Sequence, residues 1–154
     1  PLARALLGRR AAILAPTGPQ FLVALAACEG RGAVLINPLA AAVEVAHQCA
    51  DADVGAVLTV SALASKVPAG LPVVLLDDAP RTATVQLEER AIVVDLGSHF
   101  ALELAGDSET PGRDEEAAIV YTSAMAGTPI GAVLTHANLI ANGRSTIEAA
   151  RLTA

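Results

Sequence analysis

Short apolar runs recur along this chain with gaps that each leave room for one helix, and this alternation constrains the fold more than any other feature. "AAILAP" (residues 11–16), "AVLI" (33–36), "GAVLTV" (55–60) and "LPVVLLDD" (71–78) are apolar along most of their length rather than alternating in polarity, as strands buried on both faces are. Helical stretches lie between them. "TGPQFLVALAACEGRG" has Thr17 as its expected cap, Pro19 in the first turn, Phe21, Leu22, Leu25 and Cys28 at helical spacing, and Gly30 and Gly32 as stops. A second helix is expected over 40–50 after the Asn37-Pro38 turn, and "SALASK" (61–66) reads as a short one. Strands and helices taking turns in this way predict an α/β fold, a doubly wound parallel sheet of βαβ units with right-handed connections.

Composition agrees with that architecture. The chain has 154 residues, the size of one ordinary domain, and is 53% hydrophobic but only 2% aromatic, so a core must be assembled from Ala, Val, Leu and Ile. A net charge of -6 argues against nucleic acid or an anionic membrane surface as principal partner, since either requires clustered basic side chains. Lys66 is the only lysine. No apolar run approaches the roughly 20 residues of a membrane span, and no charged-then-apolar leader opens the chain, so a cytoplasmic protein is expected. The first residue is Pro1 rather than Met, which suggests a piece of something longer. Cys28 and Cys49 fall in helical stretches without a Cys/His ligand cluster, so they read as small buried thiols, and no metal site is expected.

Beyond residue 78 the pattern loosens. Residues 79–90 show no clear period, "AIVVDL" (91–96) reads as a strand, and "SHFALELAG" as a short helix capped by Ser98. "DSETPGRDEE" (107–116) has linker composition, with its "DEE" read as solvated. It separates a βαβ-rich region (1–106) from a strand, loop and helix unit (117–154), the whole expected to fold as one piece. "AAIVYTS" and "GAVLTH" are about eight residues apart, too few for a parallel crossover, and should pair as an antiparallel hairpin. A terminal helix follows, capped by Thr135, with Leu139, Gly143, Thr146 and Ala150 on one side.

The hairpin connection has the layout of a phosphate-cradling loop, with hydroxyls at Thr122 and Ser123, then Gly127, the Thr128-Pro129 turn and Gly131. The run "AAIVYTSAMAGTPIGAVLTHANLIAN" resembles the signature of the adenylate-forming (acyl-CoA synthetase, AMP-binding) superfamily. There the loop reads Tyr-Thr-Ser-Gly-Thr-Thr-Gly-x-Pro-Lys-Gly, followed by Ala-Val-x-x-Thr-His and Asn-Leu. The match covers Tyr121, Thr122, Ser123, Gly127, Pro129 and Gly131, then Ala132, Val133, Thr135, His136, Asn138 and Leu139. Residues 8–60 look like the family's first βαβ region, with its Asn-Pro turn at Asn37-Pro38.

The resemblance implies the start of a large N-terminal domain in an enzyme that activates a fatty or other small carboxylic acid with Mg-ATP. The acyl-adenylate then passes its acyl group to the thiol of CoA. It further implies that Thr122, Ser123, Gly127, Thr128 and Gly131 face nucleotide phosphates, that no catalytic residue lies within this stretch, and that the remainder of the AMP-binding domain is its natural partner. A fragment exposing the surface meant for that remainder is expected to self-associate, as a homodimer or aggregate.

Departures from the signature limit what the loop can do. The first loop glycine is replaced by Ala124, the two threonines by Met125 and Ala126, and the lysine by Ile130. Two hydroxyl donors and the cation are gone, which makes the phosphate loop degenerate. The alternative reading is therefore a noncatalytic pseudoenzyme, a binding or interaction module that keeps the scaffold. His47, His99 and His136 show no triad spacing and read as structural, with His136 in the first turn of the terminal helix.

Overall fold

The computed structural model describes residues 10–78, 81–87, 90–95, 112–122 and 127–151. The Ser98-capped helix with His99 and residues 107–111 of the expected linker lie outside these residues. In chain order the elements are β1 (Arg10–Leu14), α1 (Pro19–Ala27), β2 (Ala33–Leu35), α2 (Ala42–Asp51), β3 (Val54–Thr59), a 3₁₀ turn (Ser61–Lys66), β4 (Val73–Leu75), β5 (Thr82–Leu87), β6 (Arg90–Asp95), β7 (Glu116–Tyr121), β8 (Gly131–Thr135) and α3 (His136–Ala149).

The eight strands form one sheet in the order β6-β5-β4-β3-β1-β2-β7-β8. Its centre, from β4 through β3, β1 and β2 to β7, is parallel throughout. The flanks are antiparallel, β5 on β4, β6 on β5, and β8 on β7. The chain leaves β1 toward β2 and then crosses back past β1 to β3, which places the two connecting helices on opposite faces. Strand periodicity divides the core accordingly. Ala11, Ile13 and Ala15 pack with Ala24 and Cys28 on the α1 side, while Ala12 and Leu14 pack with Val45 and Cys49 on the α2 side. Nearly every core residue is Ala, Val, Leu or Ile, as the scarcity of aromatics requires.

Several local expectations are corrected. Helix α1 is capped by Gly18, not Thr17, and the cap makes no side-chain hydrogen bond. Pro19 fixes the first turn there, where its missing N–H costs nothing. Helix α2 begins at Ala42, and Glu44 reaches back so that its Oε2 accepts from the Ala41 N–H at 2.7 Å. The fourth strand shrinks to Val73–Leu75, because Asp77 instead caps the 3₁₀ turn by accepting from the Ser61 N–H (3.0 Å) and hydroxyl (2.8 Å). The aperiodic segment after residue 78 contains a strand, β5, which with β6 makes a hairpin. Residues 131–135 pair antiparallel with β7, as expected, and Thr135 caps α3 through the Asn138 N–H at 3.3 Å.

The "DEE" run is not simply solvated. Glu116 opens β7 and takes a two-pronged contact from Arg10 on β1, Nε to Oε1 at 2.7 Å and Nη2 to Oε2 at 2.8 Å, while Arg10 Nη1 reaches the Ala52 carbonyl at 3.1 Å. β2 lies between these two strands, so the contact spans its entry. Gly32 makes this feasible: its φ is +59°, and a Cβ there would stand 3.2 Å from Arg10 Cγ and 3.5 Å from Glu116 Oε1. The hydrogen bond to Arg10 outweighs burial and holds the Glu116 carboxyl below its ordinary range.

Helix α3 contrasts with the core, since none of its residues is buried. Leu139, Ile140 and Ile147 stand about half exposed on it, and Val133 does so on β8. His136 anchors its start, with Nε2 2.7 Å from the Gly30 carbonyl oxygen.

Candidate nucleotide-loop site

All five parallel strands end on the same edge of the sheet, and the connection 122–130 leaves from that edge at the end of β7. In open α/β sheets this carboxyl edge is where ligands are held. β7 arrives there because its "AAIV" residues are apolar on both faces, with Ala117, Ala118 and Ile119 buried.

The base of the loop is closed by two contacts. The Thr122 N–H donates to the Ile130 carbonyl at 3.0 Å, and the Ile130 N–H donates to Thr122 Oγ1 at 3.2 Å. Thr122 is exposed, but one lone pair of its hydroxyl is committed within the loop. Gly127 and Thr128 are exposed too, and space within 4 Å of Gly127 is open where a Cβ would stand. Ser123, with Ala124, Met125 and Ala126, lies outside the described residues. The apolar Ile130 is 72% exposed where the signature has its lysine.

Gly131 belongs to the loop's foundation. It faces Tyr121 across the hairpin, and a Cβ on it would come within 3.0 Å of Ile119 Cγ2 and 3.2 Å of the Tyr121 ring. The absence of a side chain at Gly131 leaves room for the ring to pack against β8. From there the Tyr121 hydroxyl donates to Asp51 Oδ2 at 2.7 Å and approaches the Gln48 carbonyl oxygen at 3.3 Å, joining the loop's first strand to the last turn of α2. Burial, reinforced by this hydrogen bond, pushes the phenol well above its ordinary pKa. Neither Asp51 nor Gln48 was among the sequence candidates, because nothing local marks a residue that meets Tyr121 70 positions away.

Other candidates find structural uses. Lys66 donates to the Pro38 and Ala40 carbonyls at 2.7 and 2.9 Å, securing the turn after β2. Cys28 and Cys49 are free, buried thiols, and burial pushes both up to about 11. Among the described residues no three His, Cys, Asp or Glu side chains gather as a metal site, and no helix is long and apolar enough to cross a membrane.

This geometry has counterparts among known proteins. The family profile described as "AMP-binding enzyme" matches residues 3–153. The 4-coumarate–CoA ligase-like protein 4 of Oryza sativa subsp. japonica is 33% identical over 137 residues, covering 86% of this chain and 25% of that protein. A probable CoA ligase of Humulus lupulus is 31% identical over 140 residues, covering 84% of this chain and 24% of its own length. Among solved structures, ATP-bound MatB from Rhodopseudomonas palustris superposes with a TM-score of 0.66 at 26% identity, covering 99% of this chain and 31% of that one. The chain thus spans about a quarter of the length of each of these two curated relatives. With its family profile matched almost end to end, the chain belongs to the AMP-binding enzyme family.

Proposed function

We propose that these residues form the opening βαβ region and phosphate loop of an ATP-dependent acyl-CoA ligase-like protein. That protein acts in the cytoplasm on a fatty or other small carboxylic acid, making an acyl-adenylate and then a CoA thioester. The single observation that carries this reading is the position of the 122–130 loop at the carboxyl edge of the parallel strands, within a family match of residues 3–153. Residues 1–106 are assigned as the βαβ-rich region, 107–116 as the connection whose last residue opens β7, and 117–154 as the loop-bearing unit that adds β7 and β8 to the same sheet. The remainder of the AMP-binding domain covers the exposed apolar residues of β8 and α3, and without it this chain does not complete the reaction.

Thr122, Ser123, Gly127, Thr128 and Gly131 are the residues assigned to the nucleotide. Thr122 and Thr128 offer hydroxyls and the loop offers backbone N–H groups, a donor set that suits phosphate oxygens. Mg-ATP, when bound, would supply the adenylyl group that the carboxylate takes up, with pyrophosphate as the leaving group. The fit is partial, because Ile130 contributes no charge and the Thr122 hydroxyl already accepts from the Ile130 N–H. That observation favours a second reading, a noncatalytic member that keeps the scaffold and has lost tight ATP binding.

Calorimetric titration of Mg-ATP distinguishes the two. A charge-assisted contact contributes roughly 1.5–3 kcal/mol and a neutral one roughly 1, so the missing groups account for two or more orders of magnitude in affinity. Restoring them together (Ile130→Lys, Ala124→Gly, Met125→Thr and Ala126→Thr) is expected to tighten binding about a hundredfold or more. Unchanged affinity refutes the assignment of the loop to polyphosphate.

A further inference from the structure

Tyr121 is the only tyrosine in the chain, and the structure gives it three contacts that converge on the loop. It is the residue before the loop and lies opposite Gly131, the residue after it. Its ring rests on Gly131, and its hydroxyl is 2.7 Å from Asp51 Oδ2. One side chain therefore touches both ends of the loop and the C-terminal residue of α2. Thr122 and Ile130, which bond to each other, are the next residue pair along the hairpin after Tyr121 and Gly131. A tyrosine that only filled space would not require an exposed carboxylate partner, since phenylalanine fills nearly the same volume.

We propose that the Tyr121–Asp51 hydrogen bond is a latch that positions the base of the loop, Thr122 and Ile130, by tying it to α2. Tyr121 and Asp51 are positioning residues: neither is assigned to the ligand, and both act through Thr122 and Ile130. The proposal rests on the reading of this loop as a ligand-binding element. Its consequence is that occupancy of the loop and the placement of the last turn of α2 are coupled. With the latch closed, the Thr122 and Ile130 amides stay paired. With it open, the base is held by those two surface contacts and the β7–β8 ladder below them, with nothing from the Tyr121 hydroxyl tying it to α2.

The test is native-state hydrogen exchange on this chain, read at the Thr122 and Ile130 amides and at the Val57 amide, which is bonded to the Pro72 carbonyl in the sheet. Tyr121→Phe and Asp51→Ala are expected to speed exchange at Thr122 and Ile130 about threefold to tenfold, the range for loss of one partly exposed hydrogen bond, with Val57 unchanged. The double variant should exchange no faster than either single one. Asp51→Asn keeps an acceptor oxygen and should stay within about twofold of the parent. Asp51 is exposed, so its replacement leaves the core intact. Unaltered loop amides overturn the latch, and so does equal acceleration at Val57, which would mean a general loss of stability. Tyr121 emission, free of interference from Trp, separately follows Mg-ATP titration of the parent chain. Absence of a saturable response, confirmed by calorimetry, removes the nucleotide assignment while the exchange data still decide the latch.

Discussion

Replacing Glu116 by Gln removes the charge from the contact that spans the entry of β2, and the structure sets the scale of the loss. The contact has two short prongs, 2.7 and 2.8 Å, but its side chains are 38% and 25% exposed. Hydrogen bonds to charged groups contribute roughly 1.5–3 kcal/mol, and exposed ion pairs roughly 0.2–1. Discounted for solvent screening, a partly buried two-pronged pair should contribute about 1–1.5 kcal/mol at pH 7. Because Glu116 titrates below its ordinary value of 4.5 in the folded state, this stabilisation is fully present above that value and disappears as the pH falls through the lowered folded-state pKa. Urea denaturation of the parent and Glu116→Gln chains, followed by circular dichroism, should show a gap of about 1 kcal/mol at neutral pH that closes in acid. A double-mutant cycle with Arg10→Met isolates the pair from the additional Arg10 contact to Ala52. A gap that persists unchanged into acid, or no gap at pH 7, refutes the argument.

Other outcomes follow from single contacts. Gly131→Ala drives a Cβ against Ile119 and the Tyr121 ring and should cost about 1–3 kcal/mol in the same denaturation assay, with near-UV dichroism of Tyr121 altered. Thr59→Val removes the buried hydroxyl that donates to the Leu14 carbonyl at 2.7 Å, and about 1 kcal/mol of stability should go with it. Cys28 and Cys49, pushed up to about 11, should react with a chromogenic disulfide at pH 8 only as fast as the chain unfolds; rapid labelling of the folded chain would contradict their burial.

How far the sequence could be read depended on the range of the signal. The parallel centre was legible because β1, β2 and β3 are apolar on both faces and each is separated by one helix. The β7–β8 hairpin was legible because the short gap excludes a crossover. β5 was missed although it does alternate: Ala83 and Val85 are buried while Gln86 is exposed. Alanine and threonine differ too little in polarity for "TATVQL" to display that period. The loop residues were visible as a motif, whereas the partners that hold them were not. Asp51 and Tyr121 are 70 positions apart, Arg10 and Glu116 are 106 apart, and only the strand order brings either pair together. Gly32 read as a helix stop, yet the space it leaves for that second pair required the neighbouring strand to be in place.

The strand order also imposes a schedule on synthesis. β2 lies between β1 and β7, and its pairing with β7 joins Ala33 to Ala118. At about 5–20 residues per second on a ribosome, the wait between emergence of the two strands is about 4 to 17 s. Throughout that interval the nascent chain carries one side of Ala33–Leu35 as an unpaired, apolar strand edge in the middle of its future sheet. A chaperone that shields this edge should therefore raise the yield of folded chain, and a pause that prolongs its exposure should lower it.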